Sequence, residues 1–195
     1  MATQAATPLP RHRLDVETYG RMVDAGALEG ERVELLEGWL LDMSPQSPRH
    51  AEVVVDLTRH LASAHARLRV QMPFEVLPDS VPEPDLALVE GRSPDHHPRS
   101  ALLVVEVAVT SHACDRGLKA RLYARAGVPT YWLIDVPGEA VEVRTGPGPD
   151  GYRSCHIYRV GALVHSPAPG VADLDVGSLL ERPAGAMDAV SAPAS

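Results

Sequence analysis

Two apolar runs separated by one helical segment constrain this chain more than any other feature. ALLVVEVAV, Ala101–Val109, is apolar at every position except Glu106. TYWLIDV follows at Thr130–Val136. Runs of this kind read as strands buried on both faces. Between them, Asp115–Ala126 predicts a helix, stopped by Gly127 and Pro129. Strand, helix and strand in that order pack as a right-handed parallel crossover. The expected fold is α/β (α+β), with a central mixed sheet flanked by helices.

The flanking segments supply the other layers. Asp15 predicts the N-cap of a helix, DVETYGRMVDA, that stops at Gly26. RVELLEGWLLDM reads as two short strands turning at Glu37-Gly38. After Pro45 and Pro48, Arg49–Arg67 predicts a long helix. Val53, Leu57, Leu61 and Ala64 recur on one face, with His50, Arg59, His60 and Arg67 on the other. RLRVQMPFEVL predicts a strand. Pro-rich DSVPEP then leads into a second one, PDLALVE, starting at Pro84-Asp85. VEVRT and YRSCHIYRV predict a hairpin across GPGPDG. Residues 1–12 and 181–195 lack periodicity and are expected to be disordered tails. They flank one domain over 13–180, as a length of 195 residues suggests.

Composition narrows the function. A net charge of −8 argues against a broad basic face for nucleic acid or an anionic membrane, though not against a local basic groove. Aromatic residues are only 4% of the chain, too few for a base-stacking surface. Two cysteines make no disulfide framework, and the longest apolar run, Ala101–Val105, is far short of a membrane span. No apolar signal segment is visible, so a cytoplasmic protein without a membrane partner is expected. Nucleophile elbow, P-loop and dinucleotide-binding motifs are absent from the sequence. His96-His97 and His112-Ala113-Cys114 lack a second half at zinc spacing.

The chemistry centres on Glu106. A carboxylate inside an apolar strand costs several kcal/mol to bury unless it is paired or metal-bound. Either the pleat turns it to an open edge or an Arg, or it is a metal ligand. Asp85, opening the preceding strand, adds a second carboxylate at the sheet edge. Such a pair suits Mg²⁺ or Mn²⁺, which take oxygen ligands and leave positions for water and phosphate. Of 18 Lys plus Arg, only Lys119 is lysine. In so Arg-biased a chain, a surviving lysine marks a place where a compact ammonium is needed. Helical spacing puts Lys119 and Tyr123 on one side, beside a Leu118–Leu122 stripe. A solvated lysine is the competing reading. Asp115 is most simply the N-cap of that helix, with Ser111 competing. His50 opens the long helix, facing a phosphate, a carboxylate or solvent. Glu34 either shares a face with the site or is exposed.

Four strings, VELLEGWLLDMSPQSPRH, PDLAL, LLVVEVAVTS and DRGLKARLYARAGVPTYWLIDV, together resemble a large bacterial restriction-endonuclease family. That family is a branch of the PD-(D/E)XK nuclease superfamily. The likeness spans about residues 14–180. It implies a restriction-endonuclease-like core. It also implies that Asp85, Glu106 and the Val107 carbonyl bind metal, with Asp85, Glu106 and Lys119 catalytic. The superfamily's usual lysine position falls at Ala108, and the resemblance implies a lysine that has moved to the following helix, here Lys119. Glu34, His50 and Asp115 are carried over as accessory residues. Ala108 and Val109 depart from the Leu and Ser common in that family.

The expected activity is Mg²⁺- or Mn²⁺-dependent hydrolysis of DNA, with a homodimer as the economical way to cut both strands. The alternative is a non-catalytic nucleic-acid- or protein-binding member of the same fold, which the acidic balance and the lack of a DNA-reading module favour. Hydrolysis of RNA or a branched nucleic acid is a third reading.

Overall fold

The computed structural model describes residues 12–92 and 94–181. Apart from His12 and Glu181, the expected tails lie outside the described residues. The chain runs α1 (Val16–Asp24), β1 (Val33–Leu36), β2 (Trp39–Asp42), α2 (Pro48–Leu61), β3 (Arg67–Val70), β4 (Leu86–Val89) and β5 (Leu103–Ala108). It continues through α3 (His112–Cys114), a wide π-type turn (Asp115–Lys119), α4 (Ala120–Arg125), β6 (Thr130–Asp135), β7 (Ala140–Gly148) and β8 (Gly151–Arg159). The short β9 (Leu163–Val164), β10 (Leu174–Asp175) and α5 (Val176–Leu180) close it.

Six strands form one mixed sheet in the order β3-β4-β5-β6-β7-β8. Only β5 and β6 are parallel, as the crossover rule requires of the strand–helix–strand unit. The pleat divides the core in two. Leu103, Val105 and Val107 of β5 point to one face, where α2 brings Val53, Leu57 and Leu61 and α5 brings Val176, Leu179 and Leu180. Val104 and Ala108 point to the other face, against Leu122 and Tyr123 of α4, with Phe74 and Tyr131. Both faces are therefore dry, which is why β5 and β6 are apolar almost throughout.

The β1–β2 hairpin stands outside this sheet. Its turn uses Glu37 and Gly38 at φ 47° and 81°, the left-handed pair a two-residue hairpin needs. A bridge between Leu35 and Val81 ties it to the body.

Three expectations change. The long helix ends at Leu61 rather than Arg67, because the chain must turn there to let Leu68 and Val70 pair with β4 in register with Leu88 and Leu86. The strand expected over 67–77 stops at Val70, since Gln71 adopts φ 49° and Pro73 has no N–H to offer a ladder. The central helix starts at His112, so Asp115 is not its N-cap but lies buried inside it. No helix among the described residues is long and apolar enough to cross a membrane.

Candidate active site

The site forms where β4 and β5 part. β4 begins at Leu86, opposite Val105, while β5 runs on to Ala108. Beyond Val105 the β4-side edge of β5 is bare, and Asp85 fills the gap. Its Oδ2 accepts the Val107 N–H at 2.8 Å. A strand residue turns its N–H and C=O toward the same neighbour, so the Val107 carbonyl faces this gap too. By the pleat, Asp85 shares a face with Ala87 and Val89, and Glu106 with Val104 and Ala108. The two carboxylates thus lie on the α4 side of the sheet at one opening.

Glu106 is 4% exposed and meets two donors. The Tyr123 hydroxyl donates to its Oε1 at 2.6 Å, and Lys119 Nζ lies 3.2 Å from the same oxygen. Neither an open edge nor an arginine compensates this acid. Lys119 is itself buried, so the solvated reading fails. Its Nζ is also 3.3 Å from Oε2 of Glu34, which β1 carries in from the separate hairpin. Glu34 is therefore on the site and not exposed.

The wide turn brings Asp115, Lys119 and Tyr123 to one side. Four residues overshoot a 3.6-residue α-turn but fall short of a π-type turn. Spacing four within the wide turn and four in α4 therefore offset each other, and all three side chains are buried. Ser111 Oγ donates to Asp115 Oδ2, and the Tyr131 hydroxyl donates to the Asp115 carbonyl. Across the opening, the first turn of α2 supplies His50. Ser47 caps that helix and Pro48 sits in its first turn, which fixes where His50 points. His50 Nε2 lies 3.1 Å from Asp85 Oδ2, and Gln71 Nε2 donates to Oδ1 at 3.3 Å. A carboxylate can only accept, so His50 Nε2 is the donor in this contact. Buried Nδ1 has no partner among the described residues.

All six side chains singled out in the sequence thus line one cleft of about 400 Å³, with residues 41–47 at its rim. Tyr123 and Gln71 were not singled out as site residues. The spacing of four from Lys119 was the signal for Tyr123; Gln71 gave none.

Charge is out of balance here. Four buried carboxylates, of Glu34, Asp85, Glu106 and Asp115, share the cleft with one buried ammonium, and Asp42, Glu83 and Arg32 line its less buried part. Burial pushes the Glu106 carboxyl well above its usual range, and Asp115 and Asp85 push the same way, against Lys119 and the Tyr123 bond. Burial also raises Asp115, opposed by Ser111 and Lys119. At Lys119 burial pulls the pKa down, but Glu106, Glu34 and Asp115 together outweigh it and raise it. The ammonium is therefore charged at neutral pH. Among the described residues, no group of three or more His, Cys, Asp or Glu side chains is placed to hold a metal ion by itself.

A mixed sheet with its one parallel pair at the centre, and acids where the strands part, defines a restriction-endonuclease-like fold. The chain belongs to the Uma2 family, whose model, described as "Putative restriction endonuclease", matches residues 16–176. A solved structure from Anabaena variabilis, described as "a putative nuclease belonging to DUF820", is similar at 15% identity, 76% coverage of this chain, 89% of that chain and TM-score 0.59. At that identity the likeness concerns the fold alone. No curated protein matches the sequence.

Proposed function

We propose that this chain is a metal-dependent nuclease that hydrolyses DNA phosphodiester bonds, with Asp85, Glu106 and the Val107 carbonyl as ligands of Mg²⁺ or Mn²⁺. The observation that carries this reading is the pair of carboxylates on one face where β4 and β5 part, beside the buried ammonium of Lys119. The donor set fits the group. Two acids and a carbonyl are hard oxygen donors, and Mg²⁺ keeps its remaining positions for water and phosphate, so a closed cage is not needed. The excess of buried carboxylates over cations is the imbalance a divalent ion relieves. Such an ion would supply an acidic water and offset charge on the phosphate.

The residues of the chain do the rest. Tyr123 and Lys119 both engage Oε1 of Glu106, which leaves Oε2 without a side-chain partner among the described residues and open to a cation. Lys119, held protonated, is a charge donor rather than a base. It can hydrogen-bond a phosphate oxygen as negative charge builds there. Glu34 holds the ammonium from its other side. His50 and Gln71 fix the rotamer of Asp85 by one bond to each oxygen.

A second reading has its own observation. Both Asp85 oxygens and Glu106 Oε1 already take internal donors, which suits a non-catalytic binding protein. Calorimetry with Mg²⁺ and Mn²⁺, alongside cleavage of supercoiled, linear, single-stranded and branched DNA, separates the two. The nuclease reading expects metal binding and cleavage by wild type and loss of both in folded Glu106→Gln. Cleavage retained by Glu106→Gln refutes the site; no metal binding by wild type supports the binding protein.

A further inference from the structure

β3 is an edge strand of the main sheet, so nothing in the sheet covers its outer side. Arg67 pairs with Val89 and Arg69 with Ala87. Paired residues share a face, so both arginines lie on the face that carries Asp85 and Glu106. Arg92 follows β4 in the next loop. Together with Glu90, Pro94 and Pro98 these arginines line a groove of about 210 Å³, separate from the cleft. Three guanidinium groups meet one carboxylate there, in a chain of net charge −8.

The charges are also left available. Arg59, Arg99, Arg116, Arg125 and Arg144 each pair with an acid. Among the described residues, the side chains of Arg67 and Arg92 make no hydrogen bond or ion pair, and that of Arg69 reaches only the Pro73 carbonyl, at 3.4 Å. Burial and the nearby Arg67 both press the Arg69 pKa down, so these cations repel one another without a counter-ion. Guanidinium groups take phosphate oxygens in bidentate fashion.

The strand links the groove to the site. Two residues on from Arg69, Gln71 donates its backbone N–H to the Asp85 carbonyl and its side chain to Asp85 Oδ1. Arg67 and Arg69 stand about 7 Å apart along β3, and Arg67 is about 13 Å from Gln71. We infer that Arg67, Arg69 and Arg92 form a track for the phosphodiester backbone of a nucleic-acid strand, holding phosphates beyond the one in the cleft. This inference rests on the nuclease reading for the identity of the polyanion.

Binding of a labelled DNA strand, followed by fluorescence anisotropy in EDTA over a salt series, tests it apart from cleavage. Arg67→Ala/Arg92→Ala should weaken binding about tenfold and flatten the slope of log affinity against log salt by about 1–2. The exposed positions leave the thermal midpoint unchanged. Metal binding, which the groove does not touch, should also be unchanged. If wild type binds DNA and the double variant matches it in affinity and slope, the track is refuted and the nuclease reading stands. If inorganic phosphate binds as tightly as the strand, the groove is a free-anion site and the inference is overturned. If wild type binds no strand at any salt, the track is refuted, while metal binding and cleavage still decide the nuclease reading.

Discussion

Replacing Lys119 with Met tests whether the site is as dry as its geometry implies. Methionine keeps the aliphatic stem and deletes the ammonium. Nζ stands 3.2 Å from Glu106 Oε1 and 3.3 Å from Glu34 Oε2. At an effective dielectric of about 20, each contact carries about 5 kcal/mol of Coulomb attraction. The desolvation cost of burying the ammonium, which wild type carries and the variant does not, offsets much of this. The net loss expected on breaking a buried pair is about 3–5 kcal/mol, or about 6–20 °C in Tm for a chain of this size. The loss must depend on pH. Glu106 already has a folded pKa above its unfolded value, so it favours the fold when protonated and opposes it once pH rises through the folded pKa. Without Lys119 that pKa climbs further. The deficit of the variant is therefore larger at pH 7 than at pH about 4, where Glu106 is protonated in both, while the contact with Glu34 is lost at either pH. Urea melts at the two pH values measure this, and adding Glu106→Gln should recover about 1–3 kcal/mol at pH 7. A gap under about 1 kcal/mol, as for an exposed ion pair, or a gap indifferent to pH, refutes the buried-pair account.

Tyr123→Phe keeps the ring contacts with Phe74 and Tyr131 but removes the donor to Glu106. It should cost about 1.5–3 kcal/mol in urea melts. Ser111→Ala removes a bond that holds the Asp115 pKa down, so an NMR titration should find that carboxyl higher than in wild type. Gly38→Ala puts a Cβ 2.7 Å from Cβ of Arg13 at φ 81°, and should cost about 1–3 kcal/mol by calorimetric melting.

What the sequence disclosed follows from how local each signal is. β5 and β6 were legible because strands wet on neither face leave long apolar runs. Glu106 stood out only against that background. The turn at Glu37-Gly38 and the cap at Asp15 are single-residue signals, and both are where they were expected. The end of α2 was not legible, since Ala62–Ala66 suits a helix and only pairing with β4 turns the chain. Nor was the start of the central helix. Asp115 has the chemistry of a cap, and its burial depends on the wide turn and on Ser111. The closing segment, β9 to α5, went unread although Leu174, Val176, Leu179 and Leu180 complete one core face. These residues are spaced too closely in sequence to reveal a partner. Within the site, residue types could be picked out one by one. That Lys119 stands between Glu106 and Glu34 could not, because Glu34 arrives from a hairpin outside the main sheet.

The wide turn also decides where this chain tolerates a change of length. Ala120 N–H reaches back to the Asp115 carbonyl, one residue further than an α-helix allows. The turn therefore holds one surplus residue, like an insertion absorbed without unwinding its neighbours. Losing one residue there, at Gly117 for example, restores a plain α-helix with His112 on one side and Tyr123 on the other still facing as they do now. The same deletion inside α4 would turn everything after it by about 100° and carry Tyr123 off Glu106. A change of length is thus absorbed more readily in this turn, at the cost of resetting Asp115 against Lys119, than in the α-helical turn that follows it.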